Sequence, residues 1–344
     1  MAHERAQEGL NAVVLGSGAW GTALGILLHD NGHRVTLWSH NPEKAAQLNT
    51  ARENPLLKGV TVPDGIRVTG DLSCLREAEL AVFATPSFAL RETVKKAAPY
   101  LKEGALLVSV TKGVERGTHL RMSEIVREET GGRYPVAVLS GPSHAEEVAR
   151  RLPTGCVAAA EDEVIASAVQ RIFMNDVFRV YTHDDVLGVE LCGALKNVMA
   201  LCCGIGDGCG FGDNARALLI TRAMTEMSRL IERLGGRRDT LAGLAGIGDL
   251  IVTCTSMHSR NHRAGILIGQ GRSAREAMDE VGAVVEGWYA AQSAHELAAE
   301  ANVELPICSA VYDVLFRDGD VQRAVSKLMQ RRPRRESDSD WVSR

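Results

Sequence analysis

A single lysine lies within a long apolar segment, VELCGALKNVMALCCGIG, which spans residues 189–206. Lys196 is the only charged residue between Glu190 and Asp207. Burial of an unpaired ammonium group is costly, and it lowers the pKa of the amine towards the range in which it exchanges protons at neutral pH. The segment therefore predicts either a lysine that transfers protons or a lysine whose side chain extends to solvent.

A glycine-rich turn near the start of the chain has the spacing of a dinucleotide-binding fingerprint. Gly16, Gly18 and Gly21 follow an apolar run, and a second run ends at Ser39, which completes a βαβ unit of about 30 residues. The first glycine permits the tight turn, the second lets the backbone approach a pyrophosphate, and the third lets the helix pack on the strand. We predict a bound dinucleotide; the alternative is a glycine turn without a ligand.

The end of the second predicted strand, LWSHNP, bears on the choice between NAD and NADP. An NAD-specific site usually has an acidic residue here for the ribose 2′-hydroxyl, whereas this chain has Ser39 and His40. Since no carboxylate repels a 2′-phosphate and no arginine in the same turn selects one, we expect NAD or NADP to be accepted. His40 either contacts the adenosine end of the cofactor or caps the loop.

Later strand ends add polar residues to the same edge of the predicted sheet, in ATPS (84–87), TKG (111–113) and SGPSHAEEV (140–148). Ligands of open parallel sheets bind beyond the carboxyl ends of the strands. Lys112 of TKG is therefore expected where a nicotinamide and an anionic substrate meet; the alternative is a solvated surface lysine.

The segment GLAGIGDLIVTCTSMHSRN places six polar residues in apolar surroundings: Asp249, Thr253, Thr255, Ser259, Arg260 and Asn261. A guanidinium fork beside hydroxyl and amide donors suits a phosphate or a carboxylate. The alternative is a helix N-cap followed by a surface arginine. Asp249 is either an N-cap aspartate or the counter-ion of a buried ammonium group.

Composition narrows the class of protein. A chain of 344 residues with 45% hydrophobic and 24% charged residues is typical of a globular protein of two domains. The net charge of −4 provides no basic field for nucleic acid. The start of the chain lacks the pattern of a signal peptide, and no apolar run reaches about 18 residues. We therefore expect a cytoplasmic protein without a membrane span.

The eight cysteines form no CxxC pair, and we interpret them as small buried side chains in a reducing compartment. A metal or redox role is the alternative for the cluster Cys192, Cys202, Cys203 and Cys209. His258 and His262 share the spacing of one helical face, but they lack a third ligand, so no metal site is predicted.

The pattern of apolar runs predicts the fold class. Eight short runs rich in Val, Leu and Ala predict a mostly parallel sheet between helices, an α/β Rossmann-like domain over residues 11–184. Helical periodicity then predicts an all-α domain over 185–330, in which DLIVTC is the only strand-like run. The predicted helices span 185–206, 213–234, 258–270, 284–302, 306–316 and 320–330. Residues 1–10 and 331–344 are expected to be a disordered extension and a disordered tail.

Helical spacing also predicts the direction of the lone lysine. Leu191, Leu195, Val198 and Cys202 form a stripe that can pack inward. Lys196 lies about 100° around the helix from Leu195. It can therefore face the gap between the two domains, where the strand ends of the first domain lie.

Seven motifs, in this order, resemble the NAD(P)-dependent glycerol-3-phosphate dehydrogenases of the bacterial type. They are GSGAWGTAL, TKGVE, LSGPSHAEEV, GVELCGALKNVMAL, GFGDNARALLITR, AGIGDLIVTCTSMHSRN and VVEG. The resemblance implies a Rossmann-like domain followed by an all-helical substrate domain. It also implies reversible reduction of dihydroxyacetone phosphate to sn-glycerol 3-phosphate, a precursor of phospholipids, and by analogy a homodimer.

The resemblance implies roles for individual residues, with Lys196 of the ALKN motif as the general acid/base. The implied substrate-binding residues are Lys112, Gly141, Ser143, Lys196, Asn197, Asp249, Ser259, Arg260 and Asn261. The implied cofactor-binding residues, together with the glycine fingerprint, are Gly16, Gly18, Ala19, Trp20, Gly21, His40, Lys112, Ala145, Arg260, Val285 and Glu286. Many members have serine in place of Ala19; a backbone N–H can replace the lost hydroxyl contact.

These features combine into one mechanistic hypothesis, in which hydride adds to C2 of dihydroxyacetone phosphate while Lys196 protonates the forming alkoxide. Burial and Lys112 would lower the pKa of Lys196, Asp249 would raise it, and Arg260 would hold the phosphate. Two alternatives stay open: a related two-domain dehydrogenase of a hydroxyacid, and a non-catalytic NAD(P)-binding sensor. The SRN segment favours a triose phosphate.

Overall fold

The computed structural model describes residues 9–333, 335 and 336. The strands in this part of the chain are β1 (Asn11–Leu15), β2 (Arg34–Trp38), β3 (Arg67–Thr69), β4 (Leu80–Phe83), β5 (Leu106–Ser109), β6 (Val136–Ser140), β7 (Thr154–Ala159) and β8 (Phe178–His183). The helices between them are α1 (Ala19–Asp30), α2 (Pro42–Ala51), α3 (Leu90–Ala97), α4 (Met122–Glu129), α5 (Ala145–Ala149) and α6 (Glu163–Phe173). The helices that follow are α7 (Val186–Gly208), α8 (Asp213–Arg233), α9 (Arg238–Leu241), α10 (Asp249–Thr255), α11 (Arg260–Gly269), α12 (Ala274–Val281), α13 (Glu286–Glu300), α14 (Pro306–Phe316) and α15 (Val321–Met329).

All eight strands form one sheet in the order β3-β2-β1-β4-β5-β6-β7-β8. Every neighbouring pair is parallel except β6 and β7, which are antiparallel. Strands β4 and β6 are buried at every residue, which explains why they appear in the sequence as continuous apolar runs rather than alternating ones. The predicted fold class, a mostly parallel α/β sheet followed by helices, is confirmed.

The strand order places a crevice next to the glycine-rich turn. The chain runs outward from β1 through β2 to β3, and then returns to place β4 on the other side of β1. Such a reversal of strand order opens a cleft beyond the carboxyl ends of the strands, where ligands bind in open α/β sheets. The turn after β1 and the loops after β4 and β5 all lie at this edge.

Helix α7 is the centre of the helical half. Nineteen of its 23 residues are buried, and it packs against α8, α10, α11 and α13. It is also long and apolar enough to cross a membrane, but 89% of its most apolar window is buried inside the protein, which is typical of a core helix. A bent pair of shorter segments, Arg238–Thr255 with Arg260–Gly269, is also long and apolar enough to cross a membrane if the two are taken together. Neither is more than weak evidence for a membrane span.

The strand-like run DLIVTC is helical, because it forms most of α10. Its β-branched residues favour a strand, but Leu250 and Cys254 pack into the helical core and Asp249 and Thr253 lie one turn apart on the same face. Tertiary packing therefore overrides local preference. Helix α12 was not among the predicted helices, although Ser273 and Glu276 form a capping box at its start.

The predicted disordered ends lie mostly outside the described residues, which exclude 1–8, 334 and 337–344. Leu10, the last residue of the predicted extension, donates its backbone N–H to His33 at 3.2 Å. Its carbonyl accepts a hydrogen bond from the N–H of Arg34 at 2.9 Å. Near the other end, Arg331 forms an ion pair with Glu304 at 2.9 Å.

Candidate active site

The carboxylate of Asp249 lies between two lysines from distant parts of the chain. Lys112 follows β5, and its Nζ donates to Oδ2 of Asp249 at 2.7 Å. Lys196, in the middle of α7, donates from Nζ to Oδ1. The Asp249 side chain is 1% exposed and the Lys196 side chain 7%. Lys196 therefore does not extend to solvent, and the N-cap of α10 is Gly248 rather than Asp249.

The loop after β6 completes the surroundings of Lys112. Nζ of Lys112 donates to the carbonyl of Gly141 at 2.9 Å and contacts Oγ of Ser143 at 3.5 Å. The hydroxyl of Ser143 donates to the same carbonyl at 2.9 Å. The carboxyl ends of β5 and β6 thus hold the ammonium group of Lys112 at the edge where the sheet meets the helical half.

Thr253 orients Lys196, a role that the sequence analysis did not assign to it. Nζ of Lys196 donates to Oγ1 of Thr253 at 2.8 Å, while that hydroxyl donates to the carbonyl of Asp249 at 2.6 Å. Because the single hydroxyl proton is used, the threonine oxygen can only accept from the lysine. The spacing of Asp249 and Thr253, one helical turn apart, is the sequence signal that could have identified it.

Burial lowers the pKa of Lys196 to about 8, Lys112 adds to this effect, and Asp249 opposes it. Burial alone would raise the pKa of Asp249, but the two ammonium groups outweigh it and lower the pKa below its usual value. The cluster thus keeps its carboxylate ionised while one lysine titrates near neutral pH. With both lysines protonated it carries one excess positive charge, which suits an anionic ligand.

The SRN segment begins α11. Ser259 is the N-cap, and its Oγ accepts a hydrogen bond from the N–H of His262 at 3.2 Å. Arg260 is the first helical residue; its side chain is exposed and makes no hydrogen bond to other described residues. Its charged neighbours are Glu286, Glu146 and Arg263. The N-cap alternative therefore holds for Ser259, while the guanidinium of Arg260 is available for an anion.

Asn197 and Asn261 bond to each other and to the backbone. Nδ2 of Asn261 donates to Oδ1 of Asn197 at 2.8 Å, and Oδ1 of Asn261 accepts from the N–H of Gly287 at 2.8 Å. Asn197 donates to the carbonyl of Gly193 at 3.2 Å. This relay ties α7 and α11 to the start of α13. It leaves fewer free donors for a substrate than the sequence analysis expected.

The glycine-rich turn fits the phosphates of a dinucleotide. Gly16 has a φ of 126°, which favours glycine. A Cβ at Gly21 would lie 1.8 Å from the carbonyl of Gly16, whereas a Cβ at Gly18 would meet no atom within 4 Å. The start of α1 has no side-chain cap and no acidic residue in its first turn, so its free N–H groups suit an anion.

Two aromatic or polar side chains near the turn bear on the same site. Ala19 and Trp20 are the first residues of α1, and Nε1 of Trp20 is buried without a hydrogen-bond partner among the described residues. His40 is exposed and makes no hydrogen bond within the described part of the chain. Asn41, rather than His40, caps α2 by accepting from the N–H of Lys44 at 3.0 Å. The loop-cap interpretation of His40 is therefore wrong.

The remaining predicted cofactor residues come from two helix starts. Ala145 begins α5, and Val285 is the buried N-cap of α13. Glu286, the first residue of α13, accepts hydrogen bonds from the backbone N–H and the hydroxyl of Ser87. The sequence analysis placed Ser87 in the strand end ATPS but did not identify its partner, because nothing in the pattern pairs it with a residue 199 positions away.

The cysteines of the described residues are free thiols, and Cys192 and Cys203 are buried in the helical core. Within that part of the chain no group of three His, Cys, Asp or Glu side chains could hold a metal ion. His262 contacts Asp207 at 3.0 Å instead of sharing a ligand with His258.

Comparison with known families decides the class of the protein. The family model described as NAD-dependent glycerol-3-phosphate dehydrogenase N-terminus matches residues 11–166, and the model of the C-terminus matches residues 185–326. The chain belongs to the NAD-dependent glycerol-3-phosphate dehydrogenase family. The reaction of this family is the NAD(P)H-dependent reduction of dihydroxyacetone phosphate to glycerol 3-phosphate, so the chain is an oxidoreductase.

Individual relatives agree with membership of the glycerol-3-phosphate dehydrogenase family. The chain is 48% identical to a protein of Desulfitobacterium hafniense (strain Y51) called glycerol-3-phosphate dehydrogenase [NAD(P)+], over 92% of this chain and 90% of the relative. It is 50% identical to a protein of the same name from Moorella thermoacetica, over 95% and 98%. A crystal structure of glycerol-3-phosphate dehydrogenase from Coxiella burnetii is 38% identical, with a TM-score of 0.90 over 94% of this chain and 99% of that one.

Proposed function

We propose that this protein catalyses the reversible reduction of dihydroxyacetone phosphate to sn-glycerol 3-phosphate with Lys196 as the general acid/base. The observation that carries this proposal is the buried pairing of Asp249 with both Lys112 and Lys196, at the edge where the sheet meets the helical half. An amine with a pKa of about 8 can both donate and accept a proton near neutral pH.

Each residue of the cluster has a separate task in this proposal. A bound NADH or NADPH supplies the hydride. In the reduction, Lys196 donates its proton to the C2 oxygen as negative charge develops there, and solvent then protonates the amine again. In the reverse direction, the neutral amine accepts the proton of the alcohol. Asp249 and Thr253 hold the amine in place. Lys112 adds a positive charge that stabilises the developing oxyanion.

The substrate phosphate is assigned to the exposed guanidinium of Arg260, because a planar fork of donors matches a phosphate and stays charged at every relevant pH. The backbone N–H groups at the start of α11 would add further donors. The substrate-binding set that we propose is Lys112, Gly141, Ser143, Lys196, Asn197, Asp249, Ser259, Arg260 and Asn261. Asn197 and Asn261 would act mainly by holding α7 and α11 together.

The cofactor is assigned to the crevice between β1 and β4, with its pyrophosphate on the glycine-rich turn. The proposed contacts are Gly16, Gly18, Ala19, Trp20, Gly21, His40, Lys112, Ala145, Arg260, Val285 and Glu286. Ser39 is buried and uncharged, so it neither repels nor attracts a 2′-phosphate at the adenosine end, and His40 is exposed. We therefore expect both NADH and NADPH to be used.

The family suggests the wider setting of this reaction. We propose that the product supplies the glycerol 3-phosphate of phospholipid synthesis, that the enzyme works in the cytoplasm, and that it forms a homodimer. The division of the chain into a cofactor domain over 11–184 and a substrate domain over 185–330 belongs to the same proposal, since the last strand ends at His183 and α7 begins at Val186.

The direct test is the loss of absorbance of the reduced nicotinamide when the purified protein is mixed with dihydroxyacetone phosphate, with NADH and NADPH in parallel. We expect oxidation of both cofactors at comparable rates. Oxidation of neither would overturn the proposal, and cofactor binding without turnover would favour a sensor. Ketopantoate in place of the triose phosphate serves as the control and should give no oxidation.

A further inference from the structure

Two serine–glutamate pairs of the same geometry join the sheet half to the helical half. Glu190 of α7 accepts from the backbone N–H of Ser123 at 2.8 Å and from its hydroxyl at 2.6 Å. Glu286 of α13 accepts from the N–H of Ser87 at 3.0 Å and from its hydroxyl at 2.5 Å. In both pairs a glutamate of the helical half binds a serine of the sheet half with both carboxylate oxygens.

The two pairs differ in what else holds the glutamate. Glu190 is 2% exposed and forms an ion pair with Arg121 at 2.8 Å. Glu286 is only partly buried, and no lysine or arginine is bonded to it in the described part of the chain; Arg260 acts on it at longer range. A buried carboxylate with a bonded arginine is costly to separate. The Glu190 pair is therefore a fixed joint, whereas the Glu286 pair depends on Ser87.

Ser87 lies beside the proposed cofactor crevice. It follows β4, the strand that flanks β1 at the reversal of strand order. A Cβ placed on Gly113 would lie 2.5 Å from Cβ of Ser87, so only a glycine next to Lys112 allows the serine to pack there. The next residue, Phe88, packs against Tyr289 one turn along α13, with ring centroids 4.9 Å apart.

We propose that Ser87 is a positioning residue for the nicotinamide cofactor, because it holds Glu286 and the start of α13 against the end of β4. This inference rests on the proposed assignment of Glu286 to the cofactor site. A cleft whose walls are already joined binds its ligand more tightly than a cleft that must first be assembled. Loss of the serine hydroxyl should therefore weaken cofactor binding and leave the proton-transferring cluster intact.

The test has two parts. The full-length protein is titrated with NADH, with the fluorescence of NADH as the measure of binding, and a steady-state assay is run with dihydroxyacetone phosphate. Ser87→Ala removes one hydrogen bond to a charged group, so the Kd and the KM for NADH should rise about tenfold. The kcat at saturating NADH should stay within about twofold to threefold, since the variant touches no proposed catalytic group.

Two matched variants and one double variant distinguish positioning from general loosening of the halves. Ser123→Ala removes the equivalent hydroxyl of the fixed joint, and Ser293→Ala removes a bond from α13 to the carbonyl of Val114, which measures 3.1 Å. Neither should change the Kd for NADH. Ser87→Ala combined with Glu286→Ala should bind NADH no more weakly than Glu286→Ala alone.

An unchanged or lower Kd for NADH in Ser87→Ala would overturn the inference. So would an equal rise of the Kd in Ser293→Ala, or a double variant in which the losses of binding free energy from the two single substitutions simply add. If the wild type binds and oxidises NADH in these experiments, the proposed function stands whatever the Ser87 variants do. If the wild type binds no NADH, both the proposed function and this inference are wrong.

Discussion

Lys196, in the centre of the most buried helix, is bonded to Asp249, the first residue of α10, and neither side chain is more than 7% exposed. An isolated ammonium group would not be stable in this position. The carboxylate of Asp249 stabilises the buried ammonium group of Lys196. Because Lys112 binds the other oxygen of the same carboxylate, the single negative charge compensates the charge of Lys196 only in part. The result is a lysine that is held firmly but gives up its proton near neutral pH.

The pH dependence of both directions follows from this pairing. Reduction needs the protonated amine, so its kcat should fall as the pH rises through about 8. Oxidation needs the neutral amine and should rise over the same range. In Asp249→Asn the carboxylate no longer raises the pKa of Lys196, so the midpoint of the reduction profile should move to lower pH. Initial rates at saturating substrates measure both profiles.

Asp239→Asn is the matched control, because Asp239 is an exposed carboxylate and its side chain is 74% exposed. It should leave both profiles unchanged. Asp249→Asn should also lower thermal stability, by about 3–5 kcal/mol of unfolding free energy, since it leaves a buried charge uncompensated. A midpoint that stays in place or moves upward in Asp249→Asn would contradict the assigned role of the aspartate.

His119 should make the stability of the protein depend on pH. Burial alone would lower its pKa, but hydrogen bonds to Glu296 and Glu300, each of 3.0 Å, outweigh this and raise the pKa above its ordinary value. The stabilisation is therefore complete below the ordinary histidine pKa of about 6.5 and is lost as the pH rises through the raised value.

Thermal unfolding of the wild type and His119→Gln across this range measures the effect. The difference in Tm between them should be largest near pH 6 and should shrink by about pH 9. A difference in Tm that is constant, or that grows with pH, would show that the protonated histidine does not stabilise the protein through Glu296 and Glu300 of α13.

Arg260 should control affinity for the triose phosphate. Arg260→Ala should raise the KM for dihydroxyacetone phosphate at least about tenfold, because it removes charged hydrogen bonds to the phosphate. Arg260→Lys should restore only part of the affinity, since an ammonium group lacks the planar fork. The control is Arg275→Ala, an exposed arginine of α12, with wild-type KM expected. A normal KM in Arg260→Ala would place the phosphate elsewhere.

Much of the fold could be predicted because the central strands of the sheet are buried on both faces, as in β4 and β6. Such strands appear in the sequence as short continuous apolar runs. All eight predicted runs form strands in the described residues, although the edge strand β8 alternates buried and exposed residues. The run DLIVTC was misleading, because α10 owes its helical form to packing and to the contacts of Asp249 and Thr253 with Lys196. Local preference carries no information about such distant partners.

The site was predictable by residue type and less so by pairing. Lys112, Lys196 and Asp249 were identified from motifs, but Lys112 and Asp249 are 137 positions apart, and no spacing indicates that the two lysines share the carboxylate of Asp249. Asn197 and Asn261, which the resemblance assigns to the substrate, also bond to each other, a pairing that their positions in the sequence do not indicate. Asn side chains both donate and accept, so only the packed structure determines which partner they take.

The most direct test of the central claim is the kcat of Lys196→Ala with dihydroxyacetone phosphate and NADH at saturation. Loss of the general acid should lower kcat by about 10²–10⁴-fold, while the Kd for NADH stays near the wild-type value. Lys196→Arg should not restore activity, because a guanidinium does not release its proton near neutral pH. A kcat close to wild type in Lys196→Ala would show that another group transfers the proton.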